Sequence, residues 1–171
     1  MEQPYLKIKK VKKEAIIPSK RVEDACFDIY AVFEEDPIFL YPGDIKLINT
    51  GISTQFPKDW VFYIVEKSST GIKGISTRAG VIDSGYRGEI KTPLNNTTNK
   101  LIILTNKTQE EILEKYSDKI LNYKDNFVIH PQNKSIAQGF LLYCPHVDIE
   151  EVDKLDMESQ RKDGGFGSTQ K

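Results

Sequence analysis

The sequence predicts an all-β domain of the jelly-roll type with one helix inserted near residues 108–121. Three observations carry that prediction. Short runs rich in β-branched and aromatic residues recur along the chain, turn-forming clusters punctuate them, and helical periodicity is weak outside one segment. A chain of 171 residues, 39% of them apolar, suffices for one domain with its own core.

The chain opens on MEQPYLKIKKVKK, where Leu6, Ile8 and Val11 interleave with Lys7, Lys9, Lys10, Lys12 and Lys13. That alternation reads as a surface strand with a solvated lysine face rather than a nucleic-acid patch. After the turn YPGD (41–44), the runs IKLINTGISTQF (45–56) and WVFYIVE (60–66) read as strands, with FPKD (56–59) turning between them. In AGVIDSGYRGEIK (79–91), Gly80, Gly85 and Gly88 predict a β-hairpin with DSGY at its turn. LNN (94–96) and HPQN (130–133) mark two further turns, and IAQGFLLYC (136–144) is apolar enough to read as a central strand.

The exception is TQEEILEKYSDKIL, 108–121. It places Ile112, Leu113, Tyr116, Ile120 and Leu121 near one helical face, and Thr108 with Glu111 has capping-box spacing. This helix is expected to decorate the surface between two strands. A β core is thus expected over 1–145, a polar, acidic arm over 146–160 and a mobile glycine-rich tail over 161–171.

A net charge of −1 and a pI near 6.2 exclude a general nucleic-acid or membrane binder, which needs a large positive field. Cys26 and Cys144 lie far apart, and His130 and His146 lack ligand spacing, so neither a disulfide framework nor a structural zinc site is expected. The basic N-terminus has no apolar stretch of leader type, which makes a cytoplasmic protein the expectation.

Four stretches carry chemistry. In EKSSTG (66–71), Lys67, Ser68 and Ser69 supply a cation and hydroxyls suited to phosphate oxygens, although the order is not that of a P-loop. Asp83 and Tyr86 sit at the predicted glycine-rich turn. Asp28 lies inside the apolar run ACFDIYA, so its carboxylate needs a partner, and Gln138 interrupts SIAQGF with an amide to satisfy at both ends. Structural satisfaction explains each of these about as well as function does.

Their order decides between the two. ACFDIYA, EKSSTG, GVIDSGYRGE, SIAQ and the terminal RKDGGFGST follow one another as five motifs, and together they resemble the trimeric dUTPase family from about Asp24 to the C-terminus. The resemblance implies the distorted jelly roll, or β-clip, of that family, a homotrimer with shared sites, and Mg²⁺-dependent hydrolysis of dUTP to dUMP and pyrophosphate. It further implies Asp83 as the catalytic residue that holds the attacking water, with Tyr86 packed on the deoxyribose. Backbone from Gly80 through Val81 and Ile82 to Tyr86, and near Lys91, would read uracil. Lys67, Ser68, Ser69 and Gln138 would meet the phosphates. From the tail, Arg161 would bind the terminal phosphate, Phe166 would stack on the base, and Gly167, Ser168 and Thr169 would cover the phosphates. The metal would be held mainly by the triphosphate and water, with no direct protein ligand and Asp28 acting indirectly.

Two departures stand out. Lys67 occupies the position of the family's usual arginine and offers charge without a planar fork. The Ser-Ser pair is also similar to that of the dCTP deaminases of the same fold, but Pro93 stands where those enzymes carry a catalytic glutamate. A dCTP deaminase or bifunctional relative is therefore the alternative enzyme, and a dUTP-sensing module engaging proteins through the 108–121 helix is the alternative of another class.

Overall fold

A computed structural model of the chain describes residues 4–156 and 158. Among the described residues, short strands form four small sheets, so the all-β prediction holds. The longest ladder joins β6 (Trp60–Val65) to β12 (Ala137–Tyr143), six residue pairs from Gln138↔Val65 to Tyr143↔Trp60. With β2 (Phe27–Ile29) and β8 (Val81–Ile82) the order is β2-β12-β6-β8, so β12 is the interior strand that its apolar sequence predicts. Alternation then sorts the side chains. Phe62 and Ile64 face inward with Ile29, Ala137 and Ile90, against Ile52 and Phe56. Tyr63 faces outward, with its ring edge-on to Phe140 at 6.0 Å. Gly139 is required beneath Phe62, because a Cβ there would lie 2.6 Å from the ring.

The run 45–56 is not one strand. It divides into β4 (Ile45–Asn49) and β5 (Ile52–Gln55), which join different sheets; β5 pairs with β1 (Lys7–Lys10), whose lysines are the exposed residues of that strand. The break is Gly51, at φ +69°, where a Cβ would also meet the Ala15 and Val32 side chains within 2.8 Å. The segment 79–91 is not a hairpin either. Its two ends diverge, since β8 pairs with β6 while β9 (Lys91–Asn96) pairs with β4 and with β7 (Ile75–Thr77). The divergence follows from Ile90, which is fully buried between the sheets and held by bonds from its N–H to Ile52 O (2.8 Å) and from the Thr50 hydroxyl to its carbonyl (2.6 Å). LNN also lies within β9 rather than at a turn. The turn comes later, where the buried Asn96 side chain accepts from Thr98 N at 3.0 Å and donates to Leu40 O and Lys100 O.

The segment EKSSTG contains a feature its sequence did not suggest, a single helical turn α1 (Ser68–Gly71) directly after β6. The longer helix α2 runs over Gln109–Lys115 and carries the predicted capping box, Glu111 N–H to the Thr108 hydroxyl and Thr108 N–H to the Glu111 carboxylate. It is shorter than 108–121. At Tyr116 the backbone leaves the helical region (φ −128°, ψ 28°), and the chain bends through a 3₁₀ turn at Leu121–Tyr123.

That bend serves burial. β10 (Leu101–Leu104) lies between β3 (Ile38–Leu40) and β11 (Phe127–His130), parallel to the latter, and all four of its side chains are buried. Ile102 and Leu104 enter the central core with Leu40, Ile48, Ile75 and Leu94. Leu101 and Ile103 point the other way, where Ile112 and Ile120 cover them. The helical insertion is therefore a lid on one face of β10, not a decoration: Ile112 and Ile120 are buried beneath it, while Leu113 and Leu121 of the predicted face stay exposed. Ile112→Ala should destabilise the protein by about 2–5 kcal/mol in denaturant unfolding. Leu121→Ala, at an exposed position, should change stability by no more than about 0.5 kcal/mol.

Candidate active site

One row across three strands assembles the polar groups. Gln138 of β12 stands opposite Asp28 of β2 on one side and Val65 of β6 on the other, and directly opposed residues share a face. Lys67 lies two residues beyond Val65 and keeps an extended backbone (φ −105°, ψ 137°), so alternation returns its side chain to that face. Its ammonium donates to Asp28 Oδ1 at 2.6 Å and to the Ser135 hydroxyl at 2.8 Å. The partner that the apolar setting of Asp28 demands is thus Lys67. Gln138 is oriented as well, since its Nε2 donates to Glu66 O at 2.7 Å.

These groups border a cleft of about 760 Å³. Asp28, Lys67 and Gln138 form one wall, and the loop bearing Ser19, Lys20 and Arg21 forms another. Arg21 is held by Asp24 through both carboxylate oxygens at 2.9 and 3.1 Å, which keeps the Asp24 carboxyl below its ordinary range. Burial pushes the Cys26 thiol up, so it is a poor nucleophile there. Ser68 and Ser69 lie on α1 next to this wall and are exposed.

Asp83 and Tyr86 belong elsewhere. Val81, Ile82, Asp83, Tyr86 and Lys91 border a separate cleft of about 290 Å³. Lys67 stands five residues beyond Phe62, the partner of Ile82, a span of about 16 Å in extended chain. The loop carrying Asp83 is braced throughout. Tyr86 N–H closes a turn on Asp83 O at 3.0 Å, the Tyr86 hydroxyl donates to Glu89 O at 2.9 Å, and Arg87 donates to the carbonyls of Ser84 and Tyr86. Glu89 in turn accepts from Gly51 N–H at 2.8 Å, tying the loop to the strand break. The result is an exposed carboxylate on a fixed support. Gly80 packs backbone to backbone on β6, where a Cβ would lie 2.1 Å from Ile64 O, and its carbonyl accepts Ile64 N–H at 2.7 Å.

Against this geometry, a sequence profile described as dUTPase matches residues 12–109. The chain belongs to the dUTPase family. A deoxyuridine 5′-triphosphate nucleotidohydrolase of Clostridioides difficile is 34% identical to it over 168 residues, covering 96% of each chain. The fold is similar to that of a Staphylococcus bacteriophage 80alpha dUTPase, a G164S mutant with dUpNHpp, at TM-score 0.73 and 20% identity over 96% of this chain and 98% of that one. It is also similar, at TM-score 0.65 and 16% identity over 88% and 97%, to a D95N dUTPase of Staphylococcus aureus phage phi11 that coordinates a structural Mg(II) ion. The profile match stops before β11 and β12, so the Gln138 end of the row lies outside it in this dUTPase family member.

Of the residues singled out by sequence, Asp28, Lys67 and Gln138 come together, and Val81, Ile82, Asp83, Tyr86 and Lys91 form a second group. Arg161, Phe166, Gly167, Ser168 and Thr169 lie outside the described residues. Sequence reasoning missed Ser135 and the Lys20–Arg21 wall. Ser135 opens SIAQ but was given no role, and nothing local indicates that a lysine 68 positions away reaches it.

Buried His130 stabilises the turn just before Ser135, its Nε2 donating to Lys134 O at 3.2 Å while Nδ1 finds no partner among the described residues. Burial holds its pKa below the ordinary value, with the charges of Lys73 and Lys134 acting in the same direction. In acid the unfolded chain protonates first. Stability should therefore be full above about pH 6.5 and fall as pH drops below it, and His130→Gln should flatten that slope in unfolding measured at several pH values.

Proposed function

We propose that this chain hydrolyses dUTP to dUMP and pyrophosphate in a homotrimer, at sites that each draw on more than one copy. The supporting observation is the split of the motif residues. The phosphate-suited group (Asp28, Lys67, Gln138) and the braced carboxylate of Asp83 line different clefts of the same chain. Two copies placed cleft to cleft would bring them together. An outward face suited to such contact lies alongside the row, where Tyr63, Val81 and Leu142 are exposed.

In this reading Asp83 orients a water toward the α-phosphorus and takes its proton as the water–phosphorus bond forms and the bond to pyrophosphate breaks. The brace around Asp83 keeps its carboxylate placed without reorganisation during reaction. Tyr86 packs on the deoxyribose, and backbone of Gly80–Tyr86 and Lys91 reads uracil, so cytosine would leave polar groups unpaired. Lys67, Ser68, Ser69 and Gln138 meet the phosphates. Arg161, Phe166, Gly167, Ser168 and Thr169 complete the cover and exclude water.

Mg²⁺ is the proposed cofactor. Among the described residues no cluster of three or more His, Cys, Asp or Glu could cage a metal. Asp28, one-third exposed beside the cleft, fits a hard cation that keeps most of its water. When bound, the ion would neutralise phosphate charge. The proposed site of action is the cytoplasm; no helix among the described residues is long and apolar enough to cross a membrane.

Pyrophosphate release from dUTP, dCTP, dTTP and UTP with Mg²⁺ tests this reading: only dUTP should turn over appreciably, and equal turnover of all four would overturn it. Asp83→Asn should lower kcat by about 10²–10⁴ while retaining nucleotide. Truncation before Arg161 should remove most turnover without shifting Tm. Mixing the impaired Asp83→Asn and Lys67→Ala proteins at subsaturating dUTP under conditions of subunit exchange should raise activity above that of either alone, because some sites then combine both intact residues; no gain would refute the shared site.

A further inference from the structure

We infer that Ser135 is a positioning residue that aims the Lys67 ammonium at the substrate phosphates. The inference rests on the phosphate-binding assignment of Lys67 above. A lysine ammonium is a rotatable point charge with three donors on a flexible stem, unlike the planar fork of arginine, so its direction must come from its neighbours. Here two neighbours supply it. Asp28 Oδ1 takes one N–H at 2.6 Å and Ser135 Oγ takes another at 2.8 Å. Among the described residues nothing takes the third, and Lys67 borders the 760 Å³ cleft.

The two acceptors differ in kind. Asp28 provides charge and sits one-third exposed at the cleft, where a phosphate-bound cation would compete for it. Ser135 is neutral, buried and without access to such competition. Its hydroxyl is also well anchored. On its N-terminal side the buried His130 ring holds Lys134 O, and a turn bond of 3.0 Å joins Lys134 N–H to Pro131 O. On its C-terminal side Ile136 N–H donates to Ile29 O at 2.8 Å, next to Asp28 on β2. Ser135 is thus fixed to the frame that carries Asp28. It would stay in place as a reference for the ammonium if Asp28 were drawn toward a bound cation, and the remaining N–H would keep its direction into the cleft.

The test uses the full-length protein and two readouts. In wild-type protein at low temperature, the Lys67 ammonium, assigned with Lys67→Arg, should give a slowly exchanging side-chain ¹H–¹⁵N signal. In Ser135→Ala that signal should broaden or vanish. With dUTP as substrate, Ser135→Ala should raise KM about five- to tenfold, as expected for the net loss of one hydrogen bond acting through Lys67, with kcat within about twofold. Ser135→Thr, which keeps the hydroxyl, should return KM to near wild type. An unchanged Lys67 signal in Ser135→Ala overturns the proposal, as does an unchanged KM, whatever the change in Tm. If Lys67→Ala itself leaves KM unaltered, the phosphate assignment of Lys67 fails instead, and the ammonium signal still reports whether Ser135 orients it.

Discussion

The polar row of the candidate site depends on the register of β12 between β2 and β6. That register places Gln138 between Asp28 and Val65 and brings Lys67 over the Asp28 carboxylate. A slip of β12 by one residue would turn Gln138 to the opposite face, burying its amide among Phe62, Ile64 and Ile29. The alternation of Phe62 and Ile64 with Tyr63 and Val65 on one strand, and of Ala137 and Gly139 with Gln138 on the other, excludes that slip. Hydrophobic burial on the inner face therefore sets the geometry of charge on the outer face. Gly139 adds a steric condition, since only a residue without Cβ lets Phe62 occupy the space beneath it.

The Lys67–Asp28 pair illustrates how polar groups are afforded at this depth. Both side chains are about one-third exposed or less, so each would lose solvation without the other. Ser135 takes a second N–H of Lys67, and Glu66 O accepts from the Gln138 amide. The wall is therefore pre-ordered before any nucleotide arrives. Asp83 is treated differently: its own side chain stays exposed, and order is supplied by backbone and side-chain bonds in the loop around it. One half of the site is stiffened by ion pairing and the other by loop bracing, and each half lines its own cleft.

The helical insertion has a separate logic. β10 is apolar at four successive positions, which suits a strand covered on both sides. One cover is the central core and the other is the insertion itself, through Ile112 and Ile120. The parallel pairing of β10 with β11 follows from that arrangement, because a helix crossing over the sheet returns the chain in the same direction. β11 then delivers His130 and the turn that precedes Ser135. An element remote from the motifs thus sets the position of a residue that contacts one of them.

Much was legible in the sequence because it is written in local patterns. The all-β class, the interior position of β12, the solvated lysine face of β1 and the capping box of α2 each follow from alternation, continuity of apolar residues or a three-residue spacing. The five motifs in order were equally visible and pointed to the dUTPase family. What a linear pattern does not carry is which strand takes which partner. The division of 45–56 at Gly51, the divergence of 79–91 and the placement of Asn96 inside β9 were settled by burial of Ile90 and by bonds to residues about 40 or more positions away. The sequence by itself determined which residue types were present to handle phosphate, base and water. Only the tertiary structure decided that Lys67 meets Asp28 and Ser135 while Asp83 faces another cleft, because those relations arise from strand pairing and close packing between segments far apart in the chain.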